Sequence, residues 1–197
     1  MTARRETSYS SLGLARTLLC LFSFLSCSVA LPQNGYGDST CTALSTVLPG
    51  KVFFPGTPSY TSSAHSYFFR ECRQNPNCIV TPSSAEEVSQ AIAILTARPS
   101  TKFAIRGGGH SPNKGASNTD DGVTIDLSSM KSIEPQDGNW EVIEIGPGTT
   151  AMNLYQVLDV YNRTVLGGRV GSVGMAGFLT GGMYSDFHFP YFPLKLC

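Results

Sequence analysis

The chain has 197 residues, enough for one domain with a buried core or for one domain and part of a second. Basic and acidic residues balance at 14 each for a net charge of +0, and no basic stripe interleaved with aromatics occurs, which argues against nucleic acid as a partner. Glycine is unevenly placed: fifteen of the 20 lie from Gly107 to Gly182, marking that half as the ligand-handling one, because glycine-rich turns let backbone approach a bound group.

The N-terminus reads as a targeting segment. Arg4, Arg5 and Arg16 form a basic region, Leu18 to Leu25 an apolar stretch too short to span a bilayer, and Ser28-Val29-Ala30 a small-residue cleavage site before Leu31. Residues 1–30 are expected to be a cleaved signal peptide, with a signal anchor or a buried helix as the alternative. The expected location is the secretory pathway or outside the cell, with no membrane association after cleavage. Of the cysteines that follow, Cys41, Cys72, Cys78 and Cys197, some should pair in an oxidising compartment, and their spacing fits no zinc site. A Cys41–Cys78 bridge is expected, with Cys72 as the alternative partner. Asn162-Arg163-Thr164 is the glycosylation sequon.

Residues 31–73 read as an arm rich in Ser, Thr, Pro and Tyr, with one short helix near Thr42–Val47. His65, without acidic or cysteine neighbours, reads as a surface or packing residue. A strand at Cys78–Val80 is stopped by Thr81-Pro82, and Ser83 with Glu86 predicts a capping box. Val88, Ala91, Ile92 and Leu95 recur at helical spacing, and Pro99 ends that helix. Phe103–Ile105 predicts a strand entering Arg106-Gly107-Gly108-Gly109-His110-Ser111. Strands are also predicted at Val123–Asp126, Trp140–Ile145 and Thr164–Leu166, and a helix opened by Thr149 or Thr150 carries Leu154, Val157, Leu158 and Tyr161. This order is mixed α and β with at least one parallel crossover.

Three glycine-rich segments, 106–111, 146–149 and 167–177, each follow a predicted strand and are expected to meet around one long, phosphate-bearing ligand. In the first, bare backbone is followed directly by the imidazole of His110. Gly146 to Ala151 fits G-x-G-x-x-G/A and opens an alternative, a Rossmann NAD(P) site. Against it stand Pro147 and the absence of an acidic residue near Leu166-Gly167-Gly168-Arg169. Gly171-Ser172-Val173-Gly174 lacks the G-x-S-x-G spacing of a nucleophile elbow, so Ser172 reads as a loop hydroxyl.

Five ordered blocks carry a resemblance. They are P-x-C-I-V-x-P-S-S-A-E-E-V-S (Pro76 to Ser89), F-A-I-R-G-G-G-H-S (Phe103 to Ser111), G-V-T-I-D-L-S (Gly122 to Ser128), G-P-G (Gly146 to Gly148) and G-G-R-V-G-S-V-G-M-A-G-F-L-T-G-G (Gly167 to Gly182). Together they resemble the PCMH-type FAD-binding domain of the vanillyl-alcohol-oxidase superfamily, and within it the berberine-bridge-enzyme-like, fungal FAD-linked oxidoreductases, over roughly residues 40–182. The resemblance implies an α+β fold: an incomplete N-terminal part of a PCMH-type domain, built of two small mixed α/β subdomains, at 74–182. It implies FAD bonded through His110 to the flavin 8α-methyl, and a pyrophosphate cradle at Arg106, Gly107, Gly108, Gly109, His110 and Ser111. Gly146, Pro147, Gly148, Thr149, Val170, Gly171, Ser172, Val173, Gly174 and Gly177 would line the rest of the cofactor. Some relatives add a cysteinyl link; the matching position here is Val170, so a single link is expected.

The implied reaction is hydride abstraction from an alcohol, a sugar or a secondary metabolite, with oxygen as acceptor. Residues 183–197 depart from the family pattern and read as an aberrant tail, translated intron or frameshift, since Gly182-Met183-Tyr184 is compatible with a GTATGT donor sequence. The family's substrate domain and catalytic base would lie beyond this point. No catalytic residue is therefore assigned, His188 included, and the alternative is a truncated, inactive product that at most binds flavin.

Overall fold

The computed structural model describes residues 38–182. The expected signal peptide, the first residues of the arm and the 183–197 tail with His188 lie outside the described residues. Helix α1 (Ser39–Val47) starts at Asp38, whose carboxylate accepts from Thr40 N–H at 2.8 Å and from Asn77 Nδ2 at 2.9 Å. Burial pushes this carboxyl's pKa upward, but those hydrogen bonds outweigh it and hold it below the ordinary aspartate value. Strand β1 (Val52–Phe53) and helix α2 (Pro58–His65) follow, α2 with Thr57 as its cap and Pro58 in the first turn, where its missing N–H costs nothing. The segment expected to be an arm with one helix thus carries two helices and a strand. Its apolar positions are too sparse to show periodicity, while its caps and turns are local.

A four-stranded sheet orders β1, β2 (Cys78–Val80), β4 (Val123–Asp126) and β3 (Phe103–Arg106). β1 runs antiparallel to β2, whereas β2 and β3 both run parallel to β4, Ile79 opposite Thr124 and Arg106 opposite Asp126. The crossover between β2 and β3 is α3 (Ala85–Thr96), which buries Ala91 and Leu95. Its cap is one residue later than the sequence reading: Ser84 accepts from Glu87 N–H, and the Glu87 carboxylate accepts from Ser83 N–H at 2.6 Å. β2 and β4 are buried at every position; β2 reads as a continuous apolar run, while β4 also buries Thr124, bonded to Asn118, and Asp126, paired with Arg106. Around them pack Leu44, Leu48, Cys41, Ala91 and Leu95, one core closed by the Cys41–Cys78 disulfide between α1 and β2. Cys72 is a free, buried cysteine.

A second core lies downstream. β5 (Ile133–Pro135) and β6 (Ile143–Ile145) form an antiparallel pair, Ile133 opposite Ile145. Helix α4 (Ala151–Val160), capped by Thr150, and the short α5 (Met175–Thr180) complete it, burying Ala151, Leu154, Leu158, Met175 and Phe178. Three sequence expectations differ here. Trp140–Ile145 shortens to Ile143–Ile145, because Trp140 takes a positive φ of 61° and leaves the pleat to stack on Tyr161. Thr164–Leu166 is irregular and, among the described residues, pairs with no strand. Tyr161 lies beyond the end of α4 and is exposed. The two cores are two small mixed α/β subdomains.

Candidate functional site

The three glycine segments meet. A Cβ added to Gly108 would lie 2.5 Å from Gly174 N and 2.6 Å from its Cα, and one added to Gly107 would lie 3.1 Å from Pro147 O. Only glycine at 108 and 174 lets these backbones touch. Gly174 is fixed from its other side: Ala151 N–H donates to Val173 O and Met175 N–H to Thr149 O, both at 2.9 Å.

The segments differ in what they offer a ligand. Gly146 N–H donates to Ser132 O, Gly148 N–H to Met130 O and Thr149 N–H to Gly146 O, so 146–149 keeps its donors within the protein and presents surface instead. These glycines serve packing, since a Cβ on Gly146 or Gly148 would collide with backbone at Met130 or Leu127. The preceding hairpin is antiparallel, so Gly146–Ala151 does not sit in the βαβ unit that a Rossmann reading requires. By contrast, among the described residues no protein acceptor takes the N–H of Gly107, Gly108, Gly109, His110 or Ser111. These consecutive N–H groups, with Gly109 at φ +65°, are open to an anionic ligand among the described residues. That fits the pyrophosphate of a dinucleotide.

His110 stands at its end. Phe68 stacks on the imidazole, ring centroids 4.1 Å apart and planes at 25°, and Phe69 meets its edge at 6.3 Å. Nε2 lies 3.1 Å from Ser172 Oγ. Phe68 N–H donates to Gly109 O at 3.3 Å, fixing the aromatic pair to the glycine turn. Neither phenylalanine was singled out in the sequence. They lie some forty positions upstream in a segment without periodicity, and only the doublet Phe68-Phe69 marks them.

The Arg106 side chain packs under Gly109 and carries its guanidinium to α2 and Asp126. Buried with Asp126 as an ion pair at 3.4 Å, it donates through Nη1 to Ser63 O at 2.8 Å and through Nη2 to Ser66 Oγ at 2.7 Å. Ser63 Oγ donates to Asp126 Oδ2. The guanidinium lies over the Tyr67 ring at 4.1 Å. Burial drives the Tyr67 phenol far above its ordinary value, and its O–H donates to Ser117 O at 2.8 Å. Arg106 thus caps the carbonyl end of α2, where a cation is favoured, and meets the loop by packing against Gly109.

Of the other predicted positions, Val170 is exposed, and its carbonyl accepts from Val173 N–H at 3.2 Å. Gly171 packs on Met152, and Gly177 lies in α5 with open space beside it. Asn162 is exposed in the turn after α4, at φ +52°.

The family model described as FAD binding domain matches residues 76–192. The chain belongs to this family, the FAD-binding domain of the vanillyl-alcohol-oxidase and berberine-bridge-like group. It is 42% identical over 149 residues to the FAD-dependent monooxygenase sdcF of Emericella nidulans, covering 75% of this chain and 31% of that protein. Among solved structures it resembles wild-type BBE-like 1 of Physcomitrella patens, with TM-score 0.57 and 25% identity over 71% of this chain and 30% of the other. It also resembles glucooligosaccharide oxidase of Acremonium strictum, a 6-S-cysteinyl, 8α-N1-histidyl FAD protein, with TM-score 0.64 and 23% identity over 75% and 30%. The chain spans about a third of the length of the curated relatives it matches.

Proposed function

We propose that this chain is the FAD-binding N-terminal part of a covalently flavinylated oxidoreductase that abstracts hydride from an alcohol, sugar or secondary-metabolite carbon and uses oxygen as acceptor. The observation that carries the reading is His110: its imidazole stands among five consecutive N–H groups, Gly107 to Ser111, that no acceptor takes among the described residues, where two glycine turns touch. Bound FAD supplies the two-electron acceptor. The protein's part is to hold the pyrophosphate on the Gly107–Ser111 amides, to present the His110 ring for attachment, and to give the cofactor a flat, donor-free wall at Gly146–Thr149. Attachment is through His110 alone, because Val170 has no thiol. The single histidyl link keeps FAD on a protein that works in a dilute compartment, and the Cys41–Cys78 disulfide and the N-terminal apolar segment support passage through the secretory pathway, with Asn162 as the exposed glycan site.

A second reading is favoured by the relatives named as monooxygenases: transfer of an oxygen atom to the substrate in place of simple oxidation. Substrate-binding and proton-transfer groups belong to the remaining two thirds of such proteins. The test is fluorescence of the denatured protein. The wild-type chain should retain a covalent flavin band and His110→Ala should lose it entirely; a band that survives the substitution refutes the reading.

A further inference from the structure

We propose that Ser172 is a positioning residue for flavin attachment: it holds Nε2 of His110 and thereby makes Nδ1 the nitrogen that bonds to the cofactor. The inference rests on the reading of His110 as the attachment residue. A neutral imidazole has one N–H and one bare nitrogen, and only the bare one is a nucleophile. Ser172 Oγ sits 3.1 Å from Nε2, and among the described residues Nδ1 has no partner. With the Nε2 proton donated to Ser172, the lone pair stands on Nδ1. Phe68, stacked 4.1 Å over one ring face, and Phe69 at the edge hinder the half-turn that would exchange the nitrogens. Ser172 keeps its place because the Gly108–Gly174 contact and the Val173–Val170 hydrogen bond fix its turn.

Attachment forms one bond, between Nδ1 and the 8α-methyl carbon. The methyl gives up one proton and Nε2 a second, which leaves to water past the exposed Ser172 hydroxyl. The two electrons released pass through the isoalloxazine to dioxygen, which with two protons becomes hydrogen peroxide. Before the bond forms, the serine oxygen accepts from Nε2–H; afterwards Nε2 is bare and the serine O–H donates to it. A hydroxyl serves both states, and a methyl neither.

The test compares wild type, Ser172→Ala, Ser172→Thr and His110→Ala as full chains supplied with FAD. Total bound flavin is read by absorbance and the covalent fraction by fluorescence of acid-precipitated protein over time. Ser172→Ala should unfold at the wild-type temperature and, counted per bound flavin, attach it about tenfold more slowly, the worth of one hydrogen bond. Ser172→Thr should restore the wild-type rate. Wild-type attachment by Ser172→Ala, no rescue by threonine, or loss of FAD binding in the alanine variant each overturns the proposal and leaves the His110 reading standing. Covalent flavin in His110→Ala, or none in wild type, overturns the reading on which it rests.

Discussion

Replacing Gly108 by alanine tests whether contact between the two glycine turns, as distinct from chain flexibility, holds the site together. Gly108 has an ordinary φ, so alanine adds no backbone strain there; the cost is steric. The new Cβ would lie 2.5 Å from Gly174 N and 2.6 Å from Gly174 Cα, against about 3.4 Å for an ordinary contact, so the turns must part by roughly 0.9 Å. The Gly174 side resists. Hydrogen bonds Ala151 N–H to Val173 O and Met175 N–H to Thr149 O, both 2.9 Å, would stretch beyond bonding range if that turn moved. Losing one or two of them at about 1 kcal/mol each, with repacking, gives an expected destabilisation of about 2–3 kcal/mol. The same displacement opens the His110–Ser172 contact from 3.1 Å to about 4 Å and should cut covalent flavin incorporation. Gly168→Ala is the control, because its Cβ would meet Phe178 at an ordinary 3.4 Å. Urea denaturation without FAD and the covalent flavin fraction are the two readouts. If Gly108→Ala matches Gly168→Ala in both, the contact is not what shapes the site.

Two further outcomes follow from the same structure. Reducing the Cys41–Cys78 bridge, which spans 37 positions, should cost about 4 kcal/mol by loop-closure entropy, and lower the melting temperature by about 13 °C for about 145 folded residues. A melt in dithiothreitol measures this, and an unchanged midpoint would show that the bridge does not constrain the unfolded chain. Asp120 accepts from Asn75 N–H at 2.9 Å and Gln74 Nε2 at 3.1 Å, and the backbone bond from Asn75, ahead of that from Gln74, holds its pKa below the ordinary value. A folded-state pKa below the unfolded one contributes stability that is present above about pH 4 and lost as pH falls through the folded value. The stability gap between wild type and Asp120→Asn should therefore be flat from pH 7 to pH 5 and shrink below pH 4; a gap that widens in acid contradicts the assignment.

Legibility from sequence followed the reach of the forces involved. β2 and α3 were readable because a strand buried at every position writes an apolar run and an amphipathic helix writes a 3.6 period, and β3 and β4 because short β-branched or aromatic stretches stand between turn residues. The meeting of the glycine turns was readable because such turns at strand ends have few other uses. β5 was missed because three residues, one a proline and one a glutamate, carry no run; its partner and the Asp137-Gly138 turn between them were the available signal. α5 was missed because Gly177 sits inside a six-residue helix. Phe68, Phe69 and the Arg106 partners were out of reach, since contacts across some forty positions leave no local pattern.

Arg106 shows why a motif is not a list of ligand contacts. Among the described residues no protein acceptor takes the N–H of its neighbours Gly107 to Ser111, yet the arginine itself is committed to the last turn of α2 and to Asp126. A buried guanidinium is tolerable only with its charge matched and its donors engaged, and Ser63, Ser66 and Asp126 satisfy all but Nε. That nitrogen lies under Gly109, where a Cβ would approach it to 2.9 Å, so the positive-φ glycine sits directly on the arginine. The arginine therefore joins α2, whose exit carries Phe68 and Phe69, to the strand whose exit carries His110. The imidazole and the aromatic pair beside it are tied together through Arg106, and one short motif thus combines backbone donors left open among the described residues with a side chain committed to the fold.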